Sequence, residues 1–166
     1  MNSPENSIIL WNLRSLYNVG AITRSAVSFG LRKIYCVGST PYPRLKDDTR
    51  LPHVYERATE AIHKTALGAE VHAEFEYYET IDELITYLRS ENHAILGLEQ
   101  STDAIRINDY TPQECWSLLV GEETKGLPQT LLSEVDTILE IDHLGPKSSL
   151  NVGAATSIAL FCLTSK

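Results

Sequence analysis

The sequence predicts an α/β fold, a mainly parallel sheet with helices on both faces. Three observations predict it. Short apolar runs suited to strands alternate with stretches of helical periodicity along the whole chain. No Asn-Gly or Asp-Gly pair joins consecutive strand candidates, so tight hairpins are not the connecting device. Finally, several strand candidates run out into loops of glycine and small polar residues that lead into helices. With 166 residues the chain is expected to form one domain, 1–166, whose core needs no staples.

The elements follow in order. Residues 7–13 read as a strand, because Ile8, Ile9, Leu10 and Trp11 make the unbroken apolar run of a strand buried on both faces. A loop at 14–19 precedes a helix at about 20–29, where Ile22, Ala26 and Phe29 share one stripe and Gly30 suits the end. Asn18 is suited to cap that helix. Arg24 lies about 200° round from Ile22 and points away from the stripe. A second strand, 33–37, ends at Gly38. Residues 39–52 form a long loop rich in proline and charge, and such loops are often functional. A helix at 53–67, a strand at 74–78 and a helix from a Thr80/Glu83 capping box to about Arg89 come next. The strand at 93–98 leaves into Glu99-Gln-Ser-Thr, and 106–113 is a connector. Residues 116–120 make another strand, Pro128 suits a helix start, and 135–141 is the last strand. The loop 143–149 then enters a helix capped by Asn151 or Ser149. That helix is apolar almost all round and is expected to be buried on several sides. Its small polar start, 148–151, suits a ligand.

Composition excludes several classes. The three cysteines have no paired spacing, which predicts reduced thiols and a cytoplasmic protein. No clustered His/Cys set predicts a metal, and no apolar run approaches a membrane span. The dinucleotide fingerprint, the phosphate-binding P-loop and the Gly-x-Ser-x-Gly elbow are all absent. A net charge of −8 opposes generic polyanion binding. The charge is uneven: nine Lys/Arg face five Asp/Glu in residues 1–66, and five face seventeen in 67–166. A basic first half is compatible with a local nucleic-acid face.

Three loops share a strand–loop–helix setting: Asn18-x-Gly20-x-x-x-Arg24 with Phe29-Gly30 behind it, Gly121-x-Glu123-x-x-Gly126, and Ser149-Leu150-Asn151 before a small-residue helix. In this order they resemble the three motifs of the SpoU (TrmH-like) branch of the SPOUT RNA 2′-O-ribose methyltransferases, and the resemblance covers nearly the whole chain. It implies a deep C-terminal trefoil knot, S-adenosylmethionine as cofactor, a homodimer with the site at its interface, and methyl transfer to a ribose 2′-OH of RNA, tRNA before rRNA. It further implies catalytic roles for Arg24, Asn18, Glu123, Ser149 and Asn151, and a cofactor pocket at Leu98, Glu99, Gly121, Ile141 and Leu150. Arginine is an unsuitable base because of its high pKa, so Arg24 is expected to stabilise developing charge or hold a phosphate. The chain begins almost at its first strand, so the catalytic domain itself is expected to hold RNA, through Arg14, Arg44 and Arg50 with Arg32 and Lys33. The alternative is a non-catalytic protein of the same fold that binds the cofactor or RNA.

Overall fold

The computed structural model describes residues 5–146 and 149–165. Their strands are β1 (Ser7–Trp11), β2 (Lys33–Val37), β3 (Glu74–Tyr78), β4 (Ala94–Leu98), β5 (Ile105–Arg106), β6 (Trp116–Val120) and β7 (Thr137–Glu140). Their α-helices are α1 (Leu16–Ser28), α2 (Pro52–Ala66), α3 (Ile81–Ser90), α4 (Gln129–Leu132) and α5 (Val152–Thr164). The strands form one sheet in the order β3-β2-β1-β6-β4-β7-β5, and every neighbouring pair is parallel. Parallel strands need crossovers, which is why helices cover both faces.

Alternation along the central strands divides the core. Ile8, Leu10, Ile34, Cys36, Leu118 and Val120 face α1, α2 and α5. Ile9, Tyr35, Val37, Ile95 and Leu119 face α3 and α4. Strands buried on both faces show no polar alternation, and this is the reason they read as continuous apolar runs. All strand carboxyl ends lie at one edge, where loops leaving β1, β4, β6 and β7 meet.

Several local expectations change. Helix α1 starts at Leu16, four residues earlier than its apolar stripe suggests, because Ser15 caps it by accepting the Asn18 N–H at 3.2 Å. Thr80 occupies the N-cap of α3 but makes no side-chain capping bond, so the capping box does not form. The connector at 106–113 contains the end of β5 and a 3₁₀ turn. Asn151, not Ser149, caps α5, accepting from the N–H groups of Gly153 and Ala154. Helix α5 buries Gly153, Thr156, Ala159, Leu160 and Leu163 and leaves Ile158 40% exposed and Phe161 58%. The helix packs on the sheet and on α1, through a Ser25–Ser157 hydroxyl bond of 2.7 Å, and the exposed Phe161 ring also meets Phe29 edge-on. Cys36 is buried, Cys115 and Cys162 are half-buried, and all three are free. Among the described residues no helix is long and apolar enough to cross a membrane.

Candidate active site at the strand carboxyl ends

Glu123, in the loop after β6, ties the three motif loops together. Its carboxylate accepts from the Arg14 and Ser15 backbone N–H groups at 3.1 and 3.0 Å and from Asn18 Nδ2 at 3.0 Å. Asn18 Oδ1 in turn accepts from Asn151 Nδ2 at 3.2 Å. Burial alone would raise the Glu123 carboxyl, but the bonds from Asn18 and from the Arg14 and Ser15 backbone outweigh it and hold it below the usual glutamate range. Asn18 is therefore not a cap. Ser15 relieves it of that duty and leaves its side chain to link Glu123 with Asn151. The sequence carried a signal for this, since a serine just before an apolar periodic stretch is itself a favoured cap.

Beside this link lies a cleft of about 250 Å³. Its lining includes all five residues the resemblance assigns to a cofactor (Leu98, Glu99, Gly121, Ile141 and Leu150), together with Glu123 and Ser149. Val120, Val152 and Ala155 add apolar wall, while Glu122 and Glu140 add carboxylates against Lys125, the one Lys or Arg of the lining among the described residues. The loop's shape rests on glycine. Gly126 has φ +65°, and a Cβ there would sit 2.0 Å from a Glu99 carboxylate oxygen. That carboxylate is fixed by accepting the Leu127 N–H at 2.8 Å and the Gln100 N–H at 3.0 Å. At the mouth, Gln100 Nε2 meets His143 Nδ1 at 2.6 Å, a contact the sequence did not reveal. Lys147 and Ser148 lie outside the described residues. Among those described, no cluster of His, Cys, Asp or Glu could hold a metal ion. Apolar walls, backbone-rich loops and an acidic lining fit a flat heterocycle carrying a cationic centre.

Arg24 is elsewhere. It is exposed on α1 and lines a separate open groove with Ser25, Ser28, Phe29, Lys64 and Leu67. Within one chain the structure thus brings Asn18, Glu123, Ser149 and Asn151 to the cleft region and leaves Arg24 apart. The expected RNA contacts also change. Arg14 pairs with Glu122 at 3.3 Å. Arg32 pairs with Glu74 at 2.8 Å. Arg50 is committed to its own loop: it bonds Asp48 and the Tyr42 and Pro43 carbonyls, and its guanidinium lies 3.6 Å from the Tyr42 ring centroid. Arg44 is exposed and sits over the Tyr55 ring. The basic look of residues 44–50 overstates the charge available to a partner.

Comparison with known proteins shows the family and the fold. Residues 5–161 match the SpoU rRNA Methylase family. The chain is 25% identical over 160 residues to the tRNA (guanosine(18)-2′-O)-methyltransferase of Escherichia coli, covering 95% of this chain and 62% of that protein. It therefore spans about three fifths of that relative's length. A putative tRNA (cytidine(34)-2′-O)-methyltransferase of Synechocystis is 27% identical over 156 residues, 93% of this chain and 92% of that one. Among solved structures, the SpoU methyltransferase AviRb of Streptomyces viridochromogenes in complex with AdoMet superposes with a TM-score of 0.80. That likeness, at 18% identity over 99% of this chain and 58% of the other, is one of fold.

Proposed function

The chain belongs to the SpoU rRNA methylase family, and from that membership we propose that it methylates a ribose 2′-OH of RNA using S-adenosylmethionine. One observation carries the reading: the hydrogen-bonded link Glu123–Asn18–Asn151, which joins all three motif loops beside an acidic, apolar-walled cleft.

The cofactor would supply a methyl group already activated on a sulfonium. Leu98, Ile141 and Leu150 would hold its flat ring, and Glu99 and the backbone of the 121–126 loop its polar edge. The chain's remaining task is to place the ribose hydroxyl in line and to take up the charge that develops as its proton leaves. Arg24 is the residue for that charge. Asn18 acts as a positioning residue for Glu123 and Asn151. Because Arg24 stands outside the cleft of its own chain, the complete site needs a second copy, with Arg24 of one protomer facing the partner's cleft. The exposed Ile158 and Phe161 of α5 are the apolar surface such a homodimer would cover. The C-terminal knot of the family and a cytoplasmic place of work belong to the same reading. Both relatives described above are named as tRNA enzymes, which favours tRNA over rRNA.

Methyl transfer from labelled S-adenosylmethionine to size-fractionated RNA tests this, beside Arg24→Ala. Label entering the tRNA fraction as an alkali-resistant linkage, and lost in the variant, is the expected result. A protein that binds the cofactor yet labels no RNA would instead be the non-catalytic binding protein of the same fold.

A further inference from the structure

We infer that the groove between α1 and α2 holds a backbone phosphate of the RNA, with Lys64 as its second cation beside Arg24. The inference rests on the methyltransferase reading and adds a binding residue to it.

The groove is open, about 560 Å³, and its eight lining residues include two cations and no carboxylate. In a chain of net charge −8, that is an unusual place. Most of the other arginines are engaged: Arg14 with Glu122, Arg32 with Glu74, Arg50 with Asp48, Arg89 with Glu134 and Arg106 with Asp142. Arg24 and Lys64 are both exposed, and among the described residues neither forms an ion pair. The hydroxyls around them donate inward. Ser28 bonds the Arg24 carbonyl, Thr65 the Tyr17 carbonyl, and Ser25 shares its bond with Ser157. The groove's attraction for an anion therefore comes from the two cations.

Backbone packing sets their proximity. Gly20 meets α2 so closely that a Cβ there would lie 2.1 Å from Thr65 Oγ1 and 2.3 Å from the Ile62 carbonyl. One turn further along α1 stands Arg24, and Lys64 precedes Thr65 on α2. The glycine of the first motif thus works as a helix-packing residue that brings Lys64 to Arg24. A phosphodiester suits two cations from two helices with an apolar rim at Phe29 and Leu67. An acidic peptide would find no backbone partner here, since helix interiors offer none.

The test compares wild type with Lys64→Ala, Lys64→Glu and Lys64→Arg, using unfractionated tRNA as the probe. Binding is read by filter retention across a salt series, with kinetics, cofactor affinity and oligomeric state measured in parallel. Lys64→Glu is expected to weaken tRNA binding and raise the RNA KM at unchanged kcat. Loss of one phosphate contact lowers the slope of log affinity against log salt by about 0.7–0.9. Lys64→Arg restores both, and cofactor affinity and oligomeric state do not move. Wild-type binding and slope in Lys64→Glu would overturn the inference alone, as would a Lys64→Glu protein altered only in its oligomeric state. A wild-type chain that neither binds tRNA nor transfers a methyl group would remove the methyltransferase reading and this inference with it.

Discussion

Gly20→Ala is a sharp perturbation of this fold, because one methyl group is placed where two helices touch. The new Cβ would lie 2.1 Å from Thr65 Oγ1, 2.3 Å from the Ile62 carbonyl oxygen and 3.0 Å from the Ala66 nitrogen. A carbon meets a carbonyl oxygen comfortably at about 3.3 Å, so α2 must retreat by about 1 Å. Thr65 cannot simply turn aside, since its hydroxyl donates to the Tyr17 carbonyl at 2.8 Å. Overpacking of this kind costs about 1–3 kcal/mol. Alanine in place of glycine inside a helix returns about 1 kcal/mol. The net loss is about 0–2 kcal/mol, with a central value of about 1, which lowers the Tm of a chain this size by up to about 8 °C. Thermal and urea unfolding would measure it, beside the double variant Gly20→Ala/Thr65→Ala. The second change removes the side-chain clash and leaves the backbone one, so only part of the loss should return. A Gly20→Ala protein at least as stable as wild type would refute the claim that this glycine serves helix packing.

Four further outcomes follow from the geometry. Glu123 has a folded-state pKa below its unfolded value, so its contribution is present above about pH 4.3 and is lost as pH falls through the folded value. In Glu123→Gln the acid limb of the unfolding free energy, followed in urea, should be shallower than in wild type. His93 is held below the usual histidine range chiefly by burial, beside the Ser117 hydroxyl at 2.9 Å and with Lys33 nearby. Folding favours its neutral form, so stability should decline as pH falls below about 6.5, and His93→Gln should abolish that decline. Arg50→Ala leaves Asp48, whose side chain is 3% exposed, without its cation. The expected loss is about 1–3 kcal/mol of stability, with tRNA affinity unchanged in whatever remains folded. Mixing Arg24→Ala chains with chains disabled at Glu123 should restore methyl transfer that neither variant shows alone. No recovery from mixed dimers would place both residues in one chain's site.

Legibility in the sequence followed burial. The strands β1, β2, β4 and β6 are covered on both faces, so unbroken apolar runs marked them within two residues, β1 ending at Trp11 rather than Leu13. β5 is two residues long and both are exposed, which leaves no hydrophobic signature to read. In the site, residue types were visible and their meeting was not. Glu123 reaches Asn18 across 105 residues and Asn18 reaches Asn151 across 133, distances that only the crossovers bring to contact. Two signals pointed the wrong way. The all-round apolar character of α5 is equally suited to a core and to an interface, and Ile158 and Phe161 are exposed. The charge of residues 44–50 looked free because composition does not show that Asp48, two residues from Arg50, takes up its guanidinium.

The two surfaces of the proposed site carry opposite charge, and this bears on how an acidic protein handles RNA. The cleft presents Glu99, Glu122, Glu123 and Glu140 against Lys125, while the groove on α1 and α2 presents Arg24 and Lys64 with no carboxylate. An acidic cleft favours a sulfonium and repels phosphate, so the RNA backbone is kept out of the cofactor's place. Phosphate is drawn instead to the groove, which the proposed dimer sets against the partner's cleft. On this reading the net charge of −8 does not oppose RNA binding. It directs binding to a groove where two unpaired cations stand with no carboxylate, and there the ribose arrives beside the methyl donor.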